Sequence, residues 1–444
     1  MLHAVPTQPA RFMERYVLEA VPRYTSYPPA TRFHDGVGAA NWSVWMDEQP
    51  ERPVLSLYVH IPFCKTMCWY CGCNTTVPNR DERVARYLDA LDREIRTRPA
   101  PENGIVHHIH FGGGSPDMLS PERFHRIMDA FRDRFEIADE AEIAVELDPR
   151  GVTEDLAEAL AAAGVTRASL GVQDLSPEVQ TLIHRIQPAE TVARAAMRLR
   201  RAGILAINMD IMYGLPAQTV ERVEATARAV ADMGADRVSV FGYAHVPWFK
   251  KHQRAIPEDR LPGASERFDQ MHAAAACLKD AGYAAIGFDH FARPEDSLAR
   301  AARAGELRRN FQGYTDDPYD VLIGYGASSI SESRQGYLQN LTDPAHYAQA
   351  LENGTPVQVR GLERTPTECE TGERIARLLC DFEVEPGPDG FDAEALADVI
   401  ADGLVVLRPD RLIVTPAGRP YVRNIAARID PAFQATVNQH SQAV

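Results

Sequence analysis

Residues Cys64 to Cys73 read CKTMCWYCGC, and the rest of the chain holds only Cys277, Cys369 and Cys380. Cys64, Cys68 and Cys71 follow the spacing C-x3-C-x2-C, with Cys73 just beyond. A structural zinc site usually takes two ligand pairs separated by a longer loop, and the sequence offers no second pair. Three thiolates from one short loop suit a [4Fe-4S] cluster, each holding one iron and leaving the fourth iron open to a non-protein ligand. A small molecule bound there through amino and carboxylate groups can receive one electron from the cluster. In S-adenosylmethionine this breaks a carbon–sulfur bond and gives a 5'-deoxyadenosyl radical. The competing readings are ordinary loop cysteines or a zinc knuckle. Cys73 is expected to place its sulfur on the far side of the local chain from Cys71, and to serve turnover rather than ligation.

These residues need elements to position them. From residue 54 onward, short apolar runs at 54–60, 105–111, 142–148, 167–172, 206–214, 237–243 and 284–291 read as strands. Amphipathic stretches lie between them, with Val84, Leu88, Leu91 and Ile95, and then Phe124, Ile127, Met128, Phe131 and Phe135, at helical spacing. Alternating strand and helix predict a parallel α/β sheet, doubly wound or closed into a full or partial barrel, and periodicity does not separate the two. Both place ligands at the carboxyl ends of the strands. The informative residues fall there. The cysteines follow the first strand, GGGSP (112–116) the second, Glu146 and Asp148 end the third, and Gln173 follows the fourth.

The whole chain narrows the classes. With 444 residues, 45% hydrophobic and 25% charged, it reads as a soluble protein with one large domain and a smaller one. No apolar run approaches the ~18 residues of a membrane span, and the N-terminus lacks the regions of a signal peptide, so the expected compartment is the cytoplasm. There, a tight cysteine group is metal-binding or catalytic more often than disulfide-bonded. A net charge of -15 argues against a nucleic-acid partner, while a local group of arginines can still hold carboxylates. No metal is assigned to His60, His107, His108, His110 or His290, and Cys277, Cys369 and Cys380 read as packing residues. The division is read as an extended or irregular arm over residues 1–50, the main domain over 51–355 and a small α+β domain over 356–444.

The cysteine spacing after the first strand, with Tyr70 before the third cysteine, together with GGGSP, resembles the radical S-adenosylmethionine superfamily. PRYTSYP, LYVHIPFC, CGC, GVQD, DIMYGLP, FGYAHVP, GFDHFARP, RNFQGYT and TPAGRPYVRNI, in this order from about residue 20 to about 430, resemble within it the oxygen-independent coproporphyrinogen III oxidase family. The resemblance implies a partial (β/α) barrel with a small mixed C-terminal domain. It implies oxidative decarboxylation of two propionates of coproporphyrinogen III to vinyls, with one [4Fe-4S] cluster, two S-adenosylmethionine molecules and an electron donor to the cluster, in a monomer with no nucleic-acid or membrane partner.

Carried over residue by residue, Cys64, Cys68 and Cys71 would ligate the cluster, and Cys73 would be catalytic. Tyr58, Gly113, Glu146 and Ile330 would contact the cluster-bound S-adenosylmethionine. Tyr70, Gly114, Ser115, Gln173, Arg185, Asp210 and Ala244 would surround a second one. Arg185 departs from the family in its neighbours, His184 and Ile186, where asparagine and glutamate are usual. The arm, with Arg23, Tyr24, Tyr27 and the stiff Pro28–Pro29 pair, is expected to lie across the mouth of the site. Its removal is expected to spare the cluster and abolish conversion. Relatives on the same fold that act as haem-binding chaperones tend to lack the fourth cysteine and RYTSYP, and both are present here.

Overall fold

The computed structural model describes residues 8–433, so the ends of the expected arm and of the C-terminal domain, 1–7 and 434–444, lie outside the described residues. Six strands, β1 (Val54–Ile61), β2 (Ile105–Gly113), β3 (Glu136–Leu147), β4 (Arg167–Gln173), β5 (Ala206–Tyr213) and β6 (Arg237–Gly242), lie parallel and side by side in chain order. A doubly wound sheet reverses its strand order at a switch point. These six do not reverse, so the sheet winds one way, as in a barrel. It stays open, making the barrel a partial one.

Helices Asp81–Thr97, Pro121–Arg134, Glu154–Ala162, Ala189–Ala202 and Val220–Asp232 connect the strands. Three start where a hydroxyl accepts an otherwise unpaired N–H, Ser120 from Arg123, Thr153 from Leu156 and Thr219 from Arg222. Leu55, Leu57, Val59 and Ile61 on β1 are all buried, as expected of a strand covered on both faces.

The expected strand over 284–291 is instead a hairpin, β7 (Ala284–Ile286) and β8 (His290–Ala292), paired antiparallel to β6 through β8. Its turn contains Gly287 at φ +56°, a conformation that a continuous strand does not use. A two-stranded ribbon follows, β9 (Arg308–Asn310) with β10 (Gly313–Thr315). β11 (Val321–Tyr325) returns parallel to the other side of β1, and β12 (Ile330–Ser333), β13 (Gly336–Asn340) and β14 (Gln358–Glu363) extend the sheet antiparallel. The main sheet therefore runs past residue 355. The fully buried pair Glu94 and Arg98 ties the first helix to this edge, Glu94 accepting from Tyr347 Oη at 2.6 Å and Arg98 donating to Ser331 Oγ at 2.7 Å.

The small C-terminal unit has helix Pro366–Asp381 and a three-stranded sheet of β15 (Glu383–Val384), β16 (Val405–Leu407) and β17 (Leu412–Val414), followed by helix Val422–Ile429. Its core includes Tyr16, Val17, Val21, Tyr24 and Tyr27 of the N-terminal arm. The arm is less irregular than its prolines suggest, because helix Ala39–Asp47 buries Trp42, Trp45 and Met46 on one face, at spacings of three and four. No helix among the described residues is long and apolar enough to cross a membrane.

Candidate active site

The cysteine loop leaves β1 and closes on itself at its base, where Thr76 N donates to Pro62 O at 2.9 Å and Cys64 N to Thr76 O at 3.0 Å. Two other elements hold its far side. Trp69 N donates to Ile183 O at 3.0 Å, and the Trp69 ring stacks on His184 with centroids 5.1 Å apart. His184 thus has a local purpose in the position where its type departs from the family. From the segment after β6, Lys250 Nζ donates to Cys73 O at 2.8 Å, His252 Nε2 to Cys71 O at 2.7 Å and Gln253 Nε2 to Tyr70 O at 3.0 Å. Sequence reasoning missed this clamp. Its signal was the KKHQ run, which holds two of the chain's four lysines, with Lys65 inside the loop as a third.

Cys64, Cys68, Cys71 and Cys73 all line one cavity of about 1280 Å³, together with Tyr70, Gly113, Gly114, Ser115, Glu146, Gln173, Arg185, Asp210 and Ala244. Tyr58 and Ile330 do not line it. Tyr58 supports Glu146 from behind, its ring stacked on His110 at 5.9 Å, while His110 Nε2 meets Glu146 Oε1 at 2.9 Å. Ile330 lies on β12 and packs against the cluster of Phe33, Tyr337 and Leu362.

The glycine-rich segment lies flat against the base of the loop. Gly114 N donates to Ile61 O and Ser115 N to Phe63 O, both at 2.8 Å, and a Cβ at Gly114 would collide with the Phe63 carbonyl. Gly113 turns at φ +106°, which other residues rarely adopt. The Ser115 hydroxyl is already engaged, donating to the Asp117 carboxylate and accepting from Asp148 N at 3.1 Å.

Asp148 joins two guanidiniums, Arg150 Nη2 at 2.6 Å and Arg185 Nη1 at 3.1 Å. Burial works against its charge, but the Arg150 hydrogen bond and the Arg185 charge hold the carboxyl below its ordinary range. Both arginines also reach Cys68 Sγ, Arg185 at 3.4 Å and Arg150 at 3.9 Å, setting positive charge beside a sulfur that becomes anionic when it ligates iron. Arg150 was not singled out in the sequence. Arg185 donates to Gly171 O at 2.6 Å as well, so it braces the loop and does not point freely into the cavity.

Glu146 is likewise held low, the His110 hydrogen bond overcoming burial. Asp210 is pushed up by burial and the nearby Glu146, although Ser169 Oγ at 2.8 Å and Asn208 Nδ2 at 2.9 Å donate to it. At the end of β4 a bulge and a left-handed φ of +66° re-aim Gln173.

Burial pushes the Cys64 thiol up to about 12, with Thr75 Oγ1 at 3.1 Å opposing it. Metal binding there must displace a proton. The expectation for Cys73 is corrected, because its thiol hydrogen-bonds with that of Cys71, an interaction that holds the Cys71 thiol low. The loop turns between Cys68 and Cys71, where Cys71 N donates to Cys68 O at 3.2 Å. Among the described residues no group of three or more His, Cys, Asp or Glu converges on a single ion. A cubane does not require that, since each thiolate meets its own iron. Three loop sulfurs facing a roomy cavity beside two cations fit such a cluster.

Residues 58–230 match the Radical SAM superfamily model. Over 97% of its length the chain is 45% identical to the oxygen-independent coproporphyrinogen III oxidase of Bradyrhizobium diazoefficiens, 98% of which is covered. The Escherichia coli relative of the same name is 39% identical, with 95% of this chain and 96% of that one covered. The solved E. coli coproporphyrinogen III oxidase, a radical SAM enzyme, superposes with a TM-score of 0.88 at 38% identity, covering 93% of this chain and 98% of that one. The chain belongs to the oxygen-independent coproporphyrinogen III oxidase family of the radical SAM superfamily.

Proposed function

We propose that this protein is an oxidoreductase that converts coproporphyrinogen III to protoporphyrinogen IX without oxygen. The carrying observation is that the three-cysteine loop and the strand-end polar groups open into one cavity, in a chain similar over nearly all its length to oxidases of that name. Each propionate becomes a vinyl by losing a hydrogen atom, carbon dioxide and one electron, which passes to an acceptor. Cys64, Cys68 and Cys71 would hold the cluster, which would supply the one electron that releases the 5'-deoxyadenosyl radical from a bound S-adenosylmethionine, and that radical would take the hydrogen atom.

The residues do the rest. Glu146, charged and fixed by His110, accepts hydrogen bonds from a cofactor's hydroxyl or amino groups at the mouth of β3. Arg150 and Arg185 brace Cys68. The cavity, at about 1280 Å³ larger than the ~300–1,000 Å³ usual for one ligand, has room for the porphyrinogen beside S-adenosylmethionine, and the family resemblance adds a second S-adenosylmethionine. Gln173, Asp210 and Ala244 would attend the second. The protein is read as a cytoplasmic monomer that takes its electron from a separate donor.

The test is anaerobic incubation of the reconstituted protein with reductant, S-adenosylmethionine and coproporphyrinogen III. Loss of two carbon dioxides per porphyrinogen is expected. Tight haem binding without that product would replace the reading by the haem-chaperone one.

A further inference from the structure

Part of the cavity wall is built from residues to which the proposed reaction assigns no role. Arg23 comes from the N-terminal arm, Arg309 from β9 and Arg423 from the helix Val422–Ile429, and all three line the cavity with Asp289. The Arg309 side chain is only 6% exposed. Its Nε and Nη1 make no hydrogen bond among the described residues, Nη1 lying 3.9 Å from Asp289 Oδ1. Phe288 and Tyr314 fix its plane, with ring centroids 4.8 and 4.6 Å from the guanidinium carbon.

A buried guanidinium with unmet donors is costly unless something anionic completes it. Asp289 does so only in part, because its Oδ1 is 2.7 Å from His290 Nδ1. The three arginines also repel one another. Burial first, and then Arg23, hold the Arg423 guanidinium down to about 10, and burial with Arg309 lowers Arg23. Glu19 also lines the cavity, but it is paired with Arg428 at 2.6 Å. Excess positive charge therefore collects around these three residues in an acidic protein, while Glu146 of β3 and Asp210 of β5 also line the cavity.

The geometry points to Arg23, Arg309 and Arg423 as a carboxylate-binding site that seizes propionate groups of the substrate and so sets which end of it faces the cysteine loop. This rests on the proposed function for the identity of the substrate, a tetracarboxylate. It also gives the arm and the C-terminal helix a purpose, since each brings one arginine to a site that the barrel alone leaves incomplete.

The experiment titrates coproporphyrin III, the stable oxidised tetracarboxylate, and its tetramethyl ester into anaerobic holoprotein, following porphyrin fluorescence. Wild type should bind the acid and discriminate against the ester, more weakly as salt is raised. Arg309→Gln and Arg423→Gln should each weaken acid binding roughly 10- to 100-fold, with iron content and melting temperature recorded beside it. Arg309→Lys should recover part of the loss, and the surface control Arg228→Gln should bind as wild type does. Equal binding of acid and ester by wild type would overturn the site regardless of how the variants fold, as would unchanged affinity in both glutamine variants. A wild type that binds coproporphyrin III through these arginines but never decarboxylates coproporphyrinogen III would sink the proposed reaction and leave the site standing.

Discussion

The thiols of Cys71 and Cys73 interact, so their separate substitution says which sulfur meets iron. Cys71 belongs to the C-x3-C-x2-C set, and its carbonyl is pinned by His252. Cys64→Ala, Cys68→Ala and Cys71→Ala should each lose the roughly four irons of the anaerobically purified protein. Cys73→Ala should keep them and lose most vinyl formation, and an iron content that falls equally in all four would refute the assignment. Asp174 of the GVQD motif offers a pH test. It is 1% exposed and accepts from Gln218 Nε2 and Ser176 N, both at 2.7 Å, yet burial pushes it up to about 6. Its folded pKa exceeds the unfolded value of about 3.9, so the folded state binds the proton more tightly. The stabilisation is complete below the unfolded value and lost as pH rises through the folded one. Between about pH 4 and pH 6.5, wild type should lose on the order of 3 kcal/mol relative to Asp174→Asn in urea denaturation; parallel curves for the two would contradict it. Cysteines and strand-end acids were legible because their types and spacing carry the chemistry. Arg150 was not, because arginine is common in this chain, and Arg309 and Arg423 stood inside the RNFQGYT and TPAGRPYVRNI motifs without a role, because only the fold shows which arginines enter the cavity.

At the scale of elements, the parallel strands were readable from apolar runs, and the direction of winding was not, since it depends on which strands become neighbours. The hairpin at 284–292 was hidden because two three-residue strands with an intervening turn look like one apolar run. The segment at 250–255 was hidden because short 3-10 turns have no hydrophobic period. Its Gln253 is 1% exposed and ties three places together, donating to Tyr70 O and Ala244 O and accepting from Val246 N at 2.6 Å. Gln253→Ala leaves these groups buried and unmatched, at about 1–3 kcal/mol. Because the lost contacts hold the cysteine loop, the variant should release iron to a chelator several-fold faster than wild type, a rate followed by absorbance. Unchanged release would mean that the loop keeps its shape without the clamp.

For the whole molecule, the sequence suggested an arm lying over the site, and the arm is also part of the second core. Removing residues 1–30 would strip Tyr16, Val17, Val21, Tyr24 and Tyr27 from that core, so the deletion would confound folding with binding. A point substitution separates them. Tyr24 Oη at 3.1 Å and Tyr27 Oη at 2.7 Å both donate to Asp430, which is 7% exposed near the end of the C-terminal helix. This joint ties the N-terminal arm to the end of the C-terminal helix. Arg23 precedes Tyr24 directly, so whatever holds Tyr24 also holds that arginine at the cavity. Asp430→Ala leaves two buried hydroxyls without acceptors and should destabilise the C-terminal unit by about 2–4 kcal/mol. It should make the arm a protease target and weaken coproporphyrin III binding, while the cysteine loop, anchored to β1 and to the clamp after β6, keeps its iron. Proteolysis, porphyrin titration and iron analysis on one preparation distinguish the cases. An arm as resistant as in wild type would show that the two ends are joined by the apolar core alone, and iron lost with the arm would show that the arginine site and the cysteine loop are not independent.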